Sequence, residues 1–143
     1  MNNWHNPTAR ERLEIIRSTS TVAIVGMSAD PSRASYFVAT YLLSSSCTFD
    51  EVWFVNPKGG EILGRPVYPS LADLPAAPDL VDVFRRAEDL PAVAAEVVAI
   101  PGTRTFWAQL GLHSDEAVDI VVNSGRVAVM DRCLKIEHAR FCG

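Results

Sequence analysis

VAIVGMSADPSRASYFVATYLL, residues 22–43, reads as a strand, a tight turn and a helix. The segment VAIV is apolar at every position, as a strand covered on both faces should be. Gly26 breaks it. Helical spacing then places Val38, Tyr41 and Leu42 on one face of a helix running from about Ala34 to Ser45. A strand entering a helix N-terminus through a glycine is a layout that holds phosphate. The free N–H groups and the positive end of the helix dipole both face the anion. Dinucleotide-binding loops carry the spacing G-x-G-x-x-G at this point. Here a single glycine is followed by Ser28, Ser32 and Arg33, with Asp30 as a cap for the turn.

Outward from this stretch, strands and helices alternate. Asn6-Pro7 reads as an N-cap and first helical residue, with Leu13 and Ile16 on the apolar face of a helix over about 7–18. EVWFVN is the second strand, stopped by Asn56-Pro57 and Gly59-Gly60. A loop with a short extended piece, RPVYPSL, and a turn at Ala72–Leu74 lead to the third strand, residues 80–84. A helix starts near Asp89, tolerates Pro91 in its first turn, and carries the stripe Leu90, Val93, Ala94, Val97, Val98. TRTFWAQ is the fourth strand and RVAVM the fifth. Between them SDEAVDIVVNSG has Ser114 as N-cap and Gly125 as helix stop. The tail, about 132–141, is helical. Five strands alternating with helices predict a three-layer α/β/α, Rossmann-like domain with a mostly parallel sheet, one domain over 1–143.

Composition agrees. A chain of 143 residues, 48% hydrophobic and 21% charged, has the balance of a soluble globular domain. A net charge of −4 argues against a nucleic-acid partner. No apolar run reaches the roughly 18 residues a bilayer requires, and MNNWHNPTARERLEII has no signal-peptide core. Three cysteines, Cys47, Cys133 and Cys142, with no CxxC pair, fit a reducing cytoplasm.

In sheets of this kind ligands lie beyond the carboxyl ends of the strands. After the first strand stand Gly26, Met27, Ser28 and Arg33, suited to phosphate. After the second stand Asn56, Pro57 and Lys58, where an NAD site would place an acid for the ribose hydroxyls. A lysine there suits a phosphorylated ribose, which both NADP and coenzyme A (CoA) possess. After the third stand Val83, Phe84, Arg85 and Arg86, a ring and two cations able to flank an adenine or reach phosphates. The competing reading pairs Arg85 and Arg86 with Glu88 and Asp89. Gln109 and Gly111 follow the fourth strand, Asp131, Arg132 and Cys133 the fifth.

Taken together, IVGMSADPSRASYFVATYL, VNPKGGEILGRPVYPSLADLP, VDVFRRAEDLP, FWAQLG and VMDRCLKIEH resemble the small stand-alone CoA-binding domain proteins. The same domain begins succinyl-CoA synthetase alpha subunits. The resemblance spans about residues 22–138 and implies a Rossmann-like fold with CoA over the strand ends. It implies a diphosphate at Gly26, Met27 and Ser28 with Arg33 nearby, and the phosphorylated ribose near Asn56, Pro57 and Lys58. The adenine would lie near Val83, Phe84 and Arg85, with pantetheine running toward Gln109 and Gly111. The chain departs from the family pattern in the β-leaning DIVVNSG and in Ala108, where relatives often carry a larger residue.

No catalytic constellation accompanies these residues. There is no G-x-S-x-G and no H-E-x-x-H, and His5, His113 and His138 lack ligand spacing. Cys133, His138 and Cys142 on one short tail make a poor zinc site. The sequence therefore predicts a non-catalytic CoA or acyl-CoA binder. Two alternatives stand beside it. One is an NADP-binding protein, favoured by Lys58. The other is a CoA-linked thiol regulator acting through Cys133.

Overall fold

The computed structural model describes residues 4–44 and 49–142, so Ser45, Cys47 and the side chain of Cys142 lie outside the described residues. The helices are α1 (Ala9–Ser18), α2 (Ala34–Ser44), α3 (Leu90–Val98), α4 (Asp115–Asn123) and α5 (Leu134–Cys142). The strands are β1 (Thr21–Val25), β2 (Glu51–Val55), β3 (Glu61–Ile62), β4 (Arg65–Tyr68), β5 (Leu80–Val83), β6 (Thr105–Ala108) and β7 (Val127–Val129). Short 3-10 turns occupy Leu71–Asp73 and Ala87–Asp89.

The sheet has seven strands in the order β3-β4-β2-β1-β5-β6-β7. All neighbours are parallel except β3 with β4. This corrects the expectation of five. The piece RPVY is not loop: Val67 and Tyr68 pair in parallel with Phe54 and Val55. β3 closes a hairpin on it through Leu63 and Gly64, both at positive φ (52° and 73°), as a two-residue hairpin turn of the primed type requires. Leucine is a poor residue for that conformation, which is why no turn signal announced it. Pro66 is admissible because β4 pairs there only with a two-residue edge strand.

The two layers follow from the period-2 alternation of the strands. Val25, Val81, Val83, Phe106 and Ala128 face α3 and α4, and meet Leu90, Val93, Val97, Val118 and Val121. Ile24, Phe54, Leu80, Trp107 and Val129 face α1, α2 and α5, and meet Ile16, Val38, Leu42 and Leu134. Across this second face Arg12 of α1 donates to Glu137 of α5, both side chains buried. DIVVNSG, β-leaning by composition, is helical as α4, capped by the Ser114 hydroxyl on the Ala117 N–H (3.1 Å).

The start of α1 corrects the expected cap. Thr8, not Asn6, is the N-cap, and it forms a capping box with Glu11. Asn6 instead bridges to the other end of the chain: its Nδ2 donates to the Met130 carbonyl (2.7 Å) and its Oδ1 accepts from the Met130 N–H (3.0 Å). Trp4 Nε1 adds a bond to the Ala128 carbonyl (3.2 Å). The segment before α1 thus lies along the outer edge of β7.

One buried group was not expected. Asp82 sits in the middle of β5, between Ile24 and Trp107. It is fully buried, with neither carboxylate oxygen hydrogen-bonded. Burial alone pushes its carboxyl well above the ordinary range.

Candidate functional site

The parallel register sets the site. Val25 pairs with Val55 and with Val83, and Val83 pairs with Ala108. The four strand ends are level, so Gly26, Asn56, Phe84 and Gln109 emerge side by side at the carboxyl edge. The chain winds outward through β2 and β4 on one side of β1, then through β5, β6 and β7 on the other. The order therefore reverses between β1 and β5, and a crevice opens there. It is a cleft of about 450 Å³, lined by Gly26, Ser28, Arg33, Ala34, Ser35, Phe84, Arg85, Arg86, Gln109, Leu110 and Leu112. That volume lies in the usual range for small-molecule sites.

Gly26 has two reasons to be glycine. Its φ is +85°, and a Cβ would lie 2.4 Å from the Phe84 carbonyl oxygen. Its N–H donates to the Val55 carbonyl (3.0 Å), so the loop crosses the sheet edge close to both neighbours. Beyond it the loop is tied down residue by residue. The Ser28 N–H donates to the Ser35 hydroxyl (3.0 Å), and the Asp30 N–H to the Ser28 hydroxyl (3.1 Å). Asp30 accepts from both the N–H and the hydroxyl of Ser32. Hydrogen bonds from the Ser32 backbone and then its hydroxyl, with the nearby Arg33 charge, hold the Asp30 carboxyl below its usual value. Asp30 is thus a turn cap, leaving Arg33 as the cation at the start of α2.

Arg85 and Arg86 do meet acids, as the competing reading held. Arg85 reaches Asp89 at 3.5 Å, and Arg86 reaches Glu88 at 3.1 Å and Asp89 at 3.4 Å. Both also line the cleft. Exposed pairs of this kind contribute little, about 0–1 kcal/mol. An anion in the cleft can recruit either guanidinium at small cost.

The structure does not bring every expected residue to the cleft. The side chains of Met27 and Val83 are fully buried in the core, so only their backbone stands near the strand ends. Asn56 is scaffolding: its Nδ2 donates to the Met27 carbonyl (2.8 Å) and its Oδ1 accepts from the Lys58 N–H (2.9 Å). That pair of bonds fastens the loop carrying exposed Pro57 and Lys58 to the loop after β1. Gly111, at φ +87°, donates to the Asp131 carboxylate (2.6 Å) behind the turn after β6. Cys133 is half-buried against the core beneath α2 and α5 and is not among the cleft-lining residues. Sequence reasoning missed Ala34, Ser35 and Leu112, and carried Leu110 only within the stretch after the fourth strand. Ser35 was hidden inside an apolar helix, and the leucines carried no chemical signal.

A mostly parallel sheet with helices on both faces and a cleft at its topological switch point defines a Rossmann-like α/β domain. More specifically, the chain belongs to the CoA-binding domain family, which it matches over residues 20–139. It is 37% identical over 134 residues to the uncharacterized protein YneT of Bacillus subtilis, covering 94% of this chain and 96% of the relative. Among solved structures it is similar to a hypothetical protein from Pyrococcus horikoshii OT3, with TM-score 0.88, 31% identity and 100% of both chains covered. It is also similar to cell-free ID.343 from Thermus thermophilus, with TM-score 0.85, 32% identity and 94% and 99% coverage. Among the described residues no helix is long and apolar enough to cross a membrane.

Proposed function

We propose that the protein binds coenzyme A, free or acylated, across the carboxyl ends of β2, β1, β5 and β6, and performs no bond-making chemistry of its own. The observation that carries this reading is the level row of strand ends. It sets three arginines (Arg33, Arg85, Arg86) in one cleft with Gly26 and Ser28 of the loop after β1, beside a loop that presents Lys58. The diphosphate belongs at Gly26 and Ser28 under Arg33. The 3′-phosphate belongs near Lys58, and pantetheine runs toward Gln109. The reading is that of a carrier or sensor. Cytoplasmic residence is part of the same reading.

Calorimetric titration of the purified protein with CoA, dephospho-CoA, NADPH and NAD tests it. CoA is expected to bind most tightly, with dephospho-CoA weaker. Selective binding of NADPH would replace the reading with the NADP one, and no binding to any of the four would refute both. The thiol reading needs Cys133 to accept oxidised CoA. A mass gain that persists in Cys133→Ser would remove it.

A further inference from the structure

Resting on that proposed CoA reading, we infer that the β6 end of the cleft selects the acyl group, favouring short uncharged aliphatic thioesters over free CoA and over thioesters ending in a carboxylate. The cleft is polarised. Its β1–β5 side carries the three arginines, whereas its β6 side is formed by Gln109, Leu110 and Leu112, with no cation among the described residues that line it. Leu110 is 62% exposed, large for an aliphatic side chain in a turn that is otherwise firmly held.

The holding is specific. The Leu112 N–H donates to the Gln109 carbonyl (3.0 Å), closing the turn. The Gly111 N–H donates to Asp131 Oδ1 (2.6 Å), and the Asp131 N–H donates back to the Leu112 carbonyl (3.0 Å). Asp131 makes this reciprocal clamp from a positive φ of 56°, the left-handed region that aspartate adopts more readily than most non-glycine residues. The clamp fixes a turn that carries the exposed Leu110 at the mouth of the cleft. Among the described residues that line this end none is a cation, so an anionic acyl terminus finds no charged partner there.

Direction along the ligand follows from the same polarity. Lys58 and Arg33 suit phosphates on the β2 and β1 side. The arm leaving them crosses to β6, two strand positions or about 10 Å away. The group beyond the thiol then meets Leu110.

The test is calorimetry on the full chain with CoA, acetyl-CoA, butyryl-CoA and succinyl-CoA, repeated with Leu110→Ser. This exposed position tolerates the change without loss of fold, checked by circular dichroism. Two further methylenes, if wholly buried, strengthen binding about fifteenfold. The open cleft covers them in part, so butyryl-CoA is expected to bind about three- to tenfold more tightly than acetyl-CoA. Succinyl-CoA should gain nothing over acetyl-CoA. Leu110→Ser should abolish the butyryl preference and leave CoA affinity within about twofold. Equal affinities across the acyl series, a preference for succinyl-CoA, or an equal loss for CoA itself in Leu110→Ser would each overturn the inference while leaving CoA binding intact. Failure of CoA to bind at all would refute the proposed function, and this inference with it.

Discussion

Replacing Gly26 with alanine separates two costs that usually come together. The first is conformational. At φ +85° an L residue is held in a region that disfavours it by about 1–2 kcal/mol. The second is steric. The added Cβ would lie 2.4 Å from the Phe84 oxygen and 3.0 Å from its carbonyl carbon. Neither backbone is free to yield. The Phe84 N–H is bonded to the Val25 carbonyl (2.8 Å), and the Gly26 and Met27 N–H groups are both bonded to Val55. Relief requires prising β5 from β1 at the mouth of the cleft, and overpacking of that kind costs about 1–3 kcal/mol. Gly60 supplies the control. It has φ +91° and nothing within 4 Å of its Cβ position, so Gly60→Ala bears the conformational cost alone. Urea unfolding followed by tryptophan fluorescence, with constant m-values, should show Gly26→Ala destabilised by about 2–5 kcal/mol. It should exceed Gly60→Ala by about 1–3 kcal/mol. Equal losses for the two variants would refute the claim that contact with Phe84, and not φ alone, fixes this glycine.

Two further outcomes are expected. Lys58→Ala should cost CoA affinity on the order of 1.5–3 kcal/mol, the worth of a charge-assisted contact, and leave dephospho-CoA nearly unchanged. Parallel weakening of both ligands by titration would show that Lys58 does not meet the 3′-phosphate. Asp82 has a raised folded-state pKa, so its protonated form stabilises the fold below the unfolded value of 3.8, and that contribution is lost as pH rises through the folded value. Asp82→Asn removes this dependence. Its stability relative to the parent, from urea unfolding, should therefore grow from pH 4 to pH 7, by up to about 1.4 kcal/mol per unit. A difference that does not change with pH would show that Asp82 keeps an ordinary pKa in the fold.

The strands beneath the site were legible because parallel strands buried on both faces read as apolar runs; AIV and FV obey that rule, and LVDV departs from it only at Asp82. The residues after them were legible because register puts strand ends level. Gly26, Ser28, Arg33, Phe84, Arg85 and Gln109 accordingly meet in one cleft. Neighbouring positions misled for a physical reason. Met27 and Val83 stand at the same edge, but their side chains turn into the core, and a strand-end position alone does not say which way a side chain points. The β3–β4 hairpin was illegible because Leu63-Gly64 performs a turn usually written Asn-Gly. The α1 cap was misplaced because Asn6-Pro7 and Thr8 compete as starts within three residues, and only the distant Met130 backbone decides what Asn6 does. That Gly26 answers to the Phe84 carbonyl could not be read from the loop alone.

The bridge from Trp4 and Asn6 to Ala128 and Met130 also bears on folding kinetics. It joins residues 124 positions apart in sequence, among the most distant contacts in the molecule. Contacts of such separation close late, after local helices and neighbouring strands have formed. Until then β7 presents a bare edge, the kind of template on which a second chain can pair. At the opposite border the sheet ends in β3, only two residues long, which offers little to extend. The molecule's exposure to misassembly is therefore concentrated at one border, the β7 edge that the amino-terminal segment covers.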